Sequence, residues 1–234
     1  MSDRPTGPAV GDWSSPPRPN DIRLRGRFCR IEPLGLSHTP ALFEAIKGQD
    51  WVFDYMYEEP FQSLADYQAW VEMVSAQPDP YFVALCRPDG TPFGTASFMR
   101  ITQAHGVIEV GNINITPNAQ RSTAVTEAMF LMMGWAFDSG YRRYEWKCNA
   151  LNAPSRRAAQ RFGFSFEGIF RRHMIVKGRN RDTAWFAMVE DEWPDLRHAY
   201  QTWLSPENFS ADGTQRQRLG ALTAPYLVST DPTL

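Results

Sequence analysis

The chain has 234 residues, enough for one sizeable domain with extensions and too few for two typical domains joined by a linker. Its hydrophobic share of 43% and charged share of 21% are ordinary for a globular protein, and a formal net charge of -2 argues against a broad electrostatic hold on nucleic acid or an anionic membrane. Cys29, Cys86 and Cys148 stand far apart without zinc-ligand spacing, so neither a metal site nor a disulfide framework is expected. With no apolar leader and no apolar run near the roughly 18 residues of a membrane span, the expectation is a cytoplasmic protein with no membrane partner.

Residues 1–20 are rich in Pro, Gly and Ser and read as an extended or disordered arm that Trp13 could anchor. "DIRLRGRFCRIEPL" alternates and reads as a strand over Ile22–Ile31. "HTPALFEAIKG" is a short helix closed by Gly48. "SLADYQAWVEMVSAQ" is a second helix, its stripe of Leu64, Tyr67, Val71 and Val74 preceded by a Ser63 cap with Asp66 three residues on. Two β-rich runs around Asp89-Gly90 form a hairpin. "GVIEVGNINI" is a further strand, and residues 123–139 form a helix that is apolar almost all round.

After Gly140 come a strand, "RRYEWKCN", and a helix, "APSRRAAQRF", closed by Gly163. In that helix Arg156, Arg157 and Arg161 are expected to face out, and Ala158, Ala159 and Phe162 in. Two more strands flank the turn "KGRNR", and "WPDLRHAYQTWL" is a last helix with Pro194 near its start. The strand–helix–strand unit over 107–149 implies a parallel pair, whereas the hairpin is antiparallel. The fold class is therefore α/β, a mixed sheet with helices on both faces. The domain spans 21–204, and 205–234 reads as a tail.

Two helix mouths draw attention. The stretch "NAQRSTAVTEAMFLMM", residues 118–133, contains no glycine. Its helix is either a capped core helix or one whose N-terminal amides, with Arg121, Ser122, Thr123 and Thr126, seat an anion. The second mouth, at Asn152 and Ser155, follows strand 143–149. Ligands of open α/β sheets bind at such carboxyl ends.

Together, "INITPNAQRSTAVTEAMFLMMGWAF", "YRRYEWKCNALNAPSRRAAQRFGFSFEG" and "RHMIVKGRNRDTAWFAMV" resemble the GNAT acyltransferase superfamily, and within it the RimJ and RimL type of N-terminal acetyltransferase. The resemblance covers about residues 20–195. It implies two splayed parallel strands with acyl-CoA between them and acetyl-CoA as co-substrate. It also implies pantetheine along Ile113, Asn114 and Ile115, a pyrophosphate on the amides of Arg121, Ser122, Thr123, Ala124, Val125 and Thr126, and a contact from Asn152. The family's phosphate loop carries glycines where this chain, read from Arg121, has Ala124 and Thr126.

Acyl transfer from a thioester to an amine requires removal of a proton from the amine, a donor for the oxyanion and a proton for the thiolate. The resemblance places Ser155 as the acid, and the backbone N–H near Ile113 is the oxyanion donor. For the base the candidates are Glu109, then His173, with Glu145 as a sheet neighbour that could instead pair with Lys147 or Arg143. A water chain without a dedicated base stays open.

Glu167 is read as holding a turn, and "KGRNRD" as a hairpin tip or an edge of the acceptor site. Residues 49–62 are expected to shape that site, with Trp51 and Tyr55 as an aromatic wall and Asp54 drawing a cationic amine. Glu145 is a further substrate-side candidate.

The expectation is an N-acetyltransferase acting on a protein N-terminus, a peptide or a small amine as monomer or homodimer, with no metal and no nucleic acid. Transfer of another acyl group such as succinyl, or a non-catalytic acyl-CoA-binding module, is the alternative.

Overall fold

The computed structural model describes residues 4–234, so the first three residues of the arm lie outside it. One eight-stranded sheet organises the chain. In chain order the elements are β1 (Leu24–Arg25), β2 (Arg30–Pro33), α1 (Thr39–Ile46), α2 (Leu64–Ser75), β3 (Tyr81–Cys86), β4 (Pro92–Thr102), β5 (Val107–Ile115) and α3 (Thr123–Asp138). There follow β6 (Arg143–Asn149), α4 (Ala153–Arg161), β7 (Ser165–Val176), β8 (Arg179–Val189), α5 (Trp193–Leu204) and α6 (Leu219–Thr223). The strand order is β1-β2-β3-β4-β5-β6-β8-β7, and every neighbouring pair is antiparallel except β5 with β6.

The mixed sheet follows from its connections. Short turns join β1 to β2, β3 to β4, β4 to β5 and β7 to β8, all antiparallel, while the β5–α3–β6 crossover forces the one parallel pair. The β7–β8 connection is two residues, Lys177 and Gly178, both with φ near +50° to +69°, the twist that suits a two-residue hairpin.

Side-chain alternation divides the core in two. Phe82, Ala84 and Cys86 face α1 and α2, against Leu42, Phe43, Tyr67 and Val71. Val83 and Leu85 point the other way, into a larger core with Ile108, Val110, Tyr144 and Trp146, covered by α3 and α5. Ala128, Met129, Met132, Met133 and Ala136 of α3 are buried, and Phe130 on a neighbouring stripe stacks on Tyr200 of α5. A helix enclosed between the sheet and α5 needs apolar residues on nearly every side. The Ser63 cap is as expected, its Oγ accepting from the Asp66 amide at 3.1 Å.

Three expectations change. The strand expected over Ile22–Ile31 is two short strands separated by a turn at residues 26–29. That turn wraps the buried carboxylate of Glu127, which accepts from the amides of Arg27, Phe28 and Cys29 at 2.8, 2.6 and 2.9 Å. A Cβ at Gly26 would lie 2.3 Å from the Glu127 carboxyl carbon, so only glycine allows the approach.

Arg156 faces inward rather than out: its Nε donates to Asp231 at 2.7 Å and its Nη1 to the Ala150 carbonyl at 2.9 Å. Accordingly residues 205–234 are not a loose tail. Leu219 is fully buried, Thr223 hydroxyl donates to the Arg161 carbonyl at 3.1 Å, and the Phe166 amide donates to Ser229. At the other end the arm is held by Trp13 donating to the Gly140 carbonyl and by Tyr141 hydroxyl donating to Pro17.

Glu127→Ala would orphan three amides, each costing roughly 1–3 kcal/mol when left buried without an acceptor. We expect a loss of at least about 2 kcal/mol in urea unfolding with an unchanged m-value, and a smaller loss for Glu127→Gln. A change within about 0.5 kcal/mol, the usual range for a surface substitution, would remove this contact from the stability of the fold.

Candidate active site

The parallel pairing of β5 and β6 runs only from Val107 opposite Arg143 to Val110 opposite Trp146. Beyond that register both strands continue, β5 to Ile115 and β6 to Asn149, but on diverging paths. On its other side β5 stays bonded to β4 as far as Ile115. A bulge accompanies the divergence: Thr95 pairs with Asn114 and Ser97 with Gly111, so Asn112 and Ile113 together oppose Ala96. Asn112 takes the left-handed conformation (φ +50°), which asparagine tolerates better than most residues, and its amide donates to Ser97 Oγ at 2.9 Å. A Cβ at Gly111 would lie 2.2 Å from the Met99 sulfur. Glycine and asparagine adjacent in a strand are the signal that would have foretold this kink.

The resulting cleft passes through the sheet. Val110, Trp146, Cys148, Asn152 and Ser155 line it on the α3 and α4 side. Tyr55, Tyr57, Met99, Glu109, Lys147 and Arg181 line it on the other. Ser155 lies in the first turn of α4, where Asn152 caps the helix by accepting from the Ser155 amide at 3.1 Å. Its Oγ accepts from Trp146 Nε1 at 3.1 Å, which leaves the hydroxyl proton free to be donated elsewhere. Burial pushes the Cys148 thiol up, so this cleft sulfur stays protonated.

The start of α3 stands beyond the divergence. Ser122 caps it, accepting from the Val125 amide at 3.4 Å. The amides of Thr123 and Ala124 meet no acceptor among the described residues. Arg121 occupies the left-handed conformation (φ +63°) that a glycine would adopt without strain. Ala124 is buried and Thr126 turns inward, where its hydroxyl accepts from both terminal nitrogens of Arg161 at 3.2 Å.

A charge network floors the second face. Lys147 Nζ lies 2.9 Å from Glu109 and 2.6 Å from Glu145, and 3.9 Å above the Trp185 ring. Glu109 also meets Arg100 at 3.1 Å, and Glu145 meets Arg143, which holds Glu167 through two further bonds. Burial raises the Glu109 carboxyl above the usual carboxylate range, and Lys147 and Arg100 offset this only in part. Burial pushes Glu145 up as well, but Lys147 and Arg143 outweigh it and hold it below that range.

The family model described as an acetyltransferase (GNAT) domain matches residues 29–165. The chain belongs to the GNAT acetyltransferase family. A GCN5-related N-acetyltransferase structure from Brucella melitensis is 45% identical, covering 92% of this chain and 100% of its own, with a TM-score of 0.88. A probable GNAT acetyltransferase from Chromobacterium violaceum is 36% identical over 83% of this chain and 99% of its own, at TM-score 0.77. The fold is shared at 22% identity by the microcin C7 self-immunity acetyltransferase solved with acetyl-CoA and AMP, at TM-score 0.64 over 70% of this chain and 93% of its own. No curated protein matches the chain. Within the family this protein is an acetyltransferase enzyme.

Against that GNAT frame, Ser155, Glu109, Asn152, Ile113 and Tyr55 all line the cleft. His173 lies beside it, not on its wall: its Nδ1 pairs with Thr183 Oγ1 at 3.0 Å. Burial lowers its pKa, with Arg100, Arg181 and Lys147 adding to the effect. Glu145 sits behind Lys147. Trp51 and Asp54 stay off the cleft wall, Trp51 donating to Gln49, while Glu59 pairs with Lys177 at 3.4 Å. Residues the sequence reading passed over are Lys147 as the hub of the network, and Arg181. A cluster of Glu32, His38 and Cys86 lies at β2 and β3, outside the cleft lining, where His38 Nε2 is 2.9 Å from Glu32.

Lys147→Met would leave two facing carboxylates buried without their shared cation, a change that costs about 3–5 kcal/mol when both are ionised. Their folded-state pKa values would then lie above the unfolded ones. Stability would be greatest at low pH and would fall as pH rises through the raised values. Urea unfolding at pH 5 and pH 8 checks this: the deficit against wild type should be larger at pH 8.

Proposed function

We propose that this enzyme moves an acetyl group from acetyl-CoA to a primary amine by direct attack in a ternary complex. The supporting observation is the through-sheet cleft, which carries Ser155 on one face and Glu109 on the other. Acetyl-CoA enters from the α3 and α4 side. Its pyrophosphate sits on the free amides of Thr123 and Ala124 with Ser122 and Arg121 beside them, at the positive end of the helix dipole. The pantetheine pairs with the backbone of Ile113, Asn114 and Ile115, along the edge that β6 leaves. Asn152, the cap of α4, contacts the arm from the opposite side.

The amine approaches from the Tyr55 side. Glu109, the carboxylate on the cleft wall, takes its proton, and the nitrogen forms a bond to the thioester carbon. The oxyanion meets the Ile113 amide at the bulge. As the C–S bond breaks, Ser155 donates its proton to the departing thiolate and recovers one from the nitrogen, which loses its second proton as the amide forms. The raised Cys148 thiol makes an acyl-cysteine route unfavourable, which supports direct attack. The acceptor class, in this reading, is that of the RimJ and RimL type: a protein N-terminus, a peptide or a small amine.

Release of CoA thiol across an amine panel tests the whole reading, and binding of acetyl-CoA with no turnover on any amine would point instead to a non-catalytic module. Ser155→Ala should lower kcat by about 10²-fold or more, the usual contribution of a general acid. An unchanged kcat would remove Ser155 from that role.

The rate should rise with pH through the Glu109 ionisation, which burial sets above the ordinary carboxylate range. Glu109→Gln should abolish that acid limb and lower kcat/KM by about 10²-fold, the scale of a lost general base. Persistence of the limb in Glu109→Gln would assign the base to another group.

A further inference from the structure

Five charged side chains of the described residues illustrate a rule, and a sixth breaks it. Glu109, Glu127, Glu145, Arg156 and Asp231 are all buried, and each faces an opposite charge or a set of backbone amides. Arg181 is 7% exposed, yet no carboxylate lies within ion-pair distance of it, and no carbonyl or hydroxyl of the described residues accepts from its guanidinium. Its Nε is fully enclosed and unbonded. The guanidinium faces the ring of Tyr57, its carbon 5.3 Å from the ring centroid. Both residues line the cleft on the same side as Glu109.

A largely buried cation with no counter-charge is costly, and arginine has no neutral form to retreat to at ordinary pH; the terminal nitrogens of Arg181 are left to face the cleft. Folded proteins tolerate such a group where a ligand completes it. The cations nearby are already engaged: Lys147 by two carboxylates, Arg100 by Glu109, and Lys177 by Glu59 and the Phe53 carbonyl. On the cleft wall the one carboxylate, Glu109, is held by Lys147 and Arg100, and Asp54 and Glu58, in the segment that carries Tyr57, form no ion pair with Arg181.

We propose that the acceptor amine carries an anionic group, a carboxylate or phosphate, which Arg181 binds in its planar two-pronged geometry above Tyr57. The inference rests on the acetyl-transfer reading and narrows its substrate class. The anion belongs either to a small amino acid-like molecule or to an acidic side chain near a peptide N-terminus, and the chemistry at Arg181 is the same.

The test uses matched pairs of amines differing only in charge. β-Alanine against β-alaninamide and glycine against glycinamide probe the small-molecule source. Ser-Asp-Ala-amide against Ser-Asn-Ala-amide, and Asp-Ala-Ala-amide against Asn-Ala-Ala-amide, probe the peptide source. In at least one pair the wild-type enzyme should favour the anionic member by 10-fold or more in kcat/KM. Arg181→Met should bring that ratio close to one, and Arg181→Lys should keep part of it. Without ligand, Arg181→Met should unfold at the same or a higher urea midpoint than wild type, because no partner is orphaned.

Equal efficiency in every pair, or an undiminished ratio in Arg181→Met, overturns the proposal while leaving acetyl transfer standing. Absence of turnover on every amine strikes the acetyl-transfer reading instead. Calorimetry of CoA-saturated protein with N-acetyl-β-alanine and with its amide then decides the anion site. Equal binding, or none, overturns it. A lower urea midpoint for ligand-free Arg181→Met would show Arg181 to be structural and would also overturn it.

Discussion

The candidate active site depends on two parallel strands parting after four residue pairs. A parallel ladder left to itself would continue until one strand ended. Here β5 stays bonded to β4 through Ile115 while β6 stays bonded to β8 through Asn149, so each strand follows its outer neighbour and the gap opens between them. The bulge at Asn112 and Ile113 adds local twist at that point and is pinned from β4 by Ser97 and by Met99 against Gly111. The backbone groups left without a partner strand form the wall of a cleft. In most sheets they would be a liability.

The same divergence explains where the buried charge sits. Glu109 and Glu145 are opposite each other in the last stretch of parallel pairing, and like charges across a ladder repel. Lys147 lies two residues further along β6 on the same face and reaches both. The network is held in place from outside by Arg100 and Arg143. A buried network of this kind contributes little net stability over an apolar core. Its consequence is chemical: one carboxylate is raised above its ordinary range and the other depressed below it, within one ladder pair.

Much of the fold could be read from local pattern because the physics is local. The Asp89-Gly90 turn, the Ser63 cap and the all-round apolar face of α3 each follow from residues within a turn or two of one another. The through-sheet position of Ser155 and Asn152 followed from strand order together with family resemblance. What stayed hidden depends on partners far apart in sequence. Glu127 reads as a routine helical glutamate until the turn a hundred residues earlier closes on it. Arg156 reads as a solvated helix arginine because its partner, Asp231, lies 75 residues downstream in a segment without periodicity. Arg181 sits in a basic hairpin that resembles any exposed turn, and only burial without a counter-ion marks it out.

The glycine-free helix mouth shows how geometry can be kept when composition changes. Glycine at such a loop does two things: it supplies a left-handed residue and it lets backbone approach a ligand closely. In this chain the left-handed residue is Arg121, at a cost of about 1–2 kcal/mol relative to glycine. Close approach is preserved differently. Ala124 and Thr126 turn into the core, where Arg161 holds the Thr126 hydroxyl, so neither side chain stands over the free amides of Thr123 and Ala124. A strained residue persists only where its surroundings over-determine it, and such strain gathers at functional sites. Arg121 also adds a positive charge at the helix start, where the dipole favours an anion. Ala124 and Thr126, which stand where the family has glycines, therefore leave the helix start and its free amides uncovered.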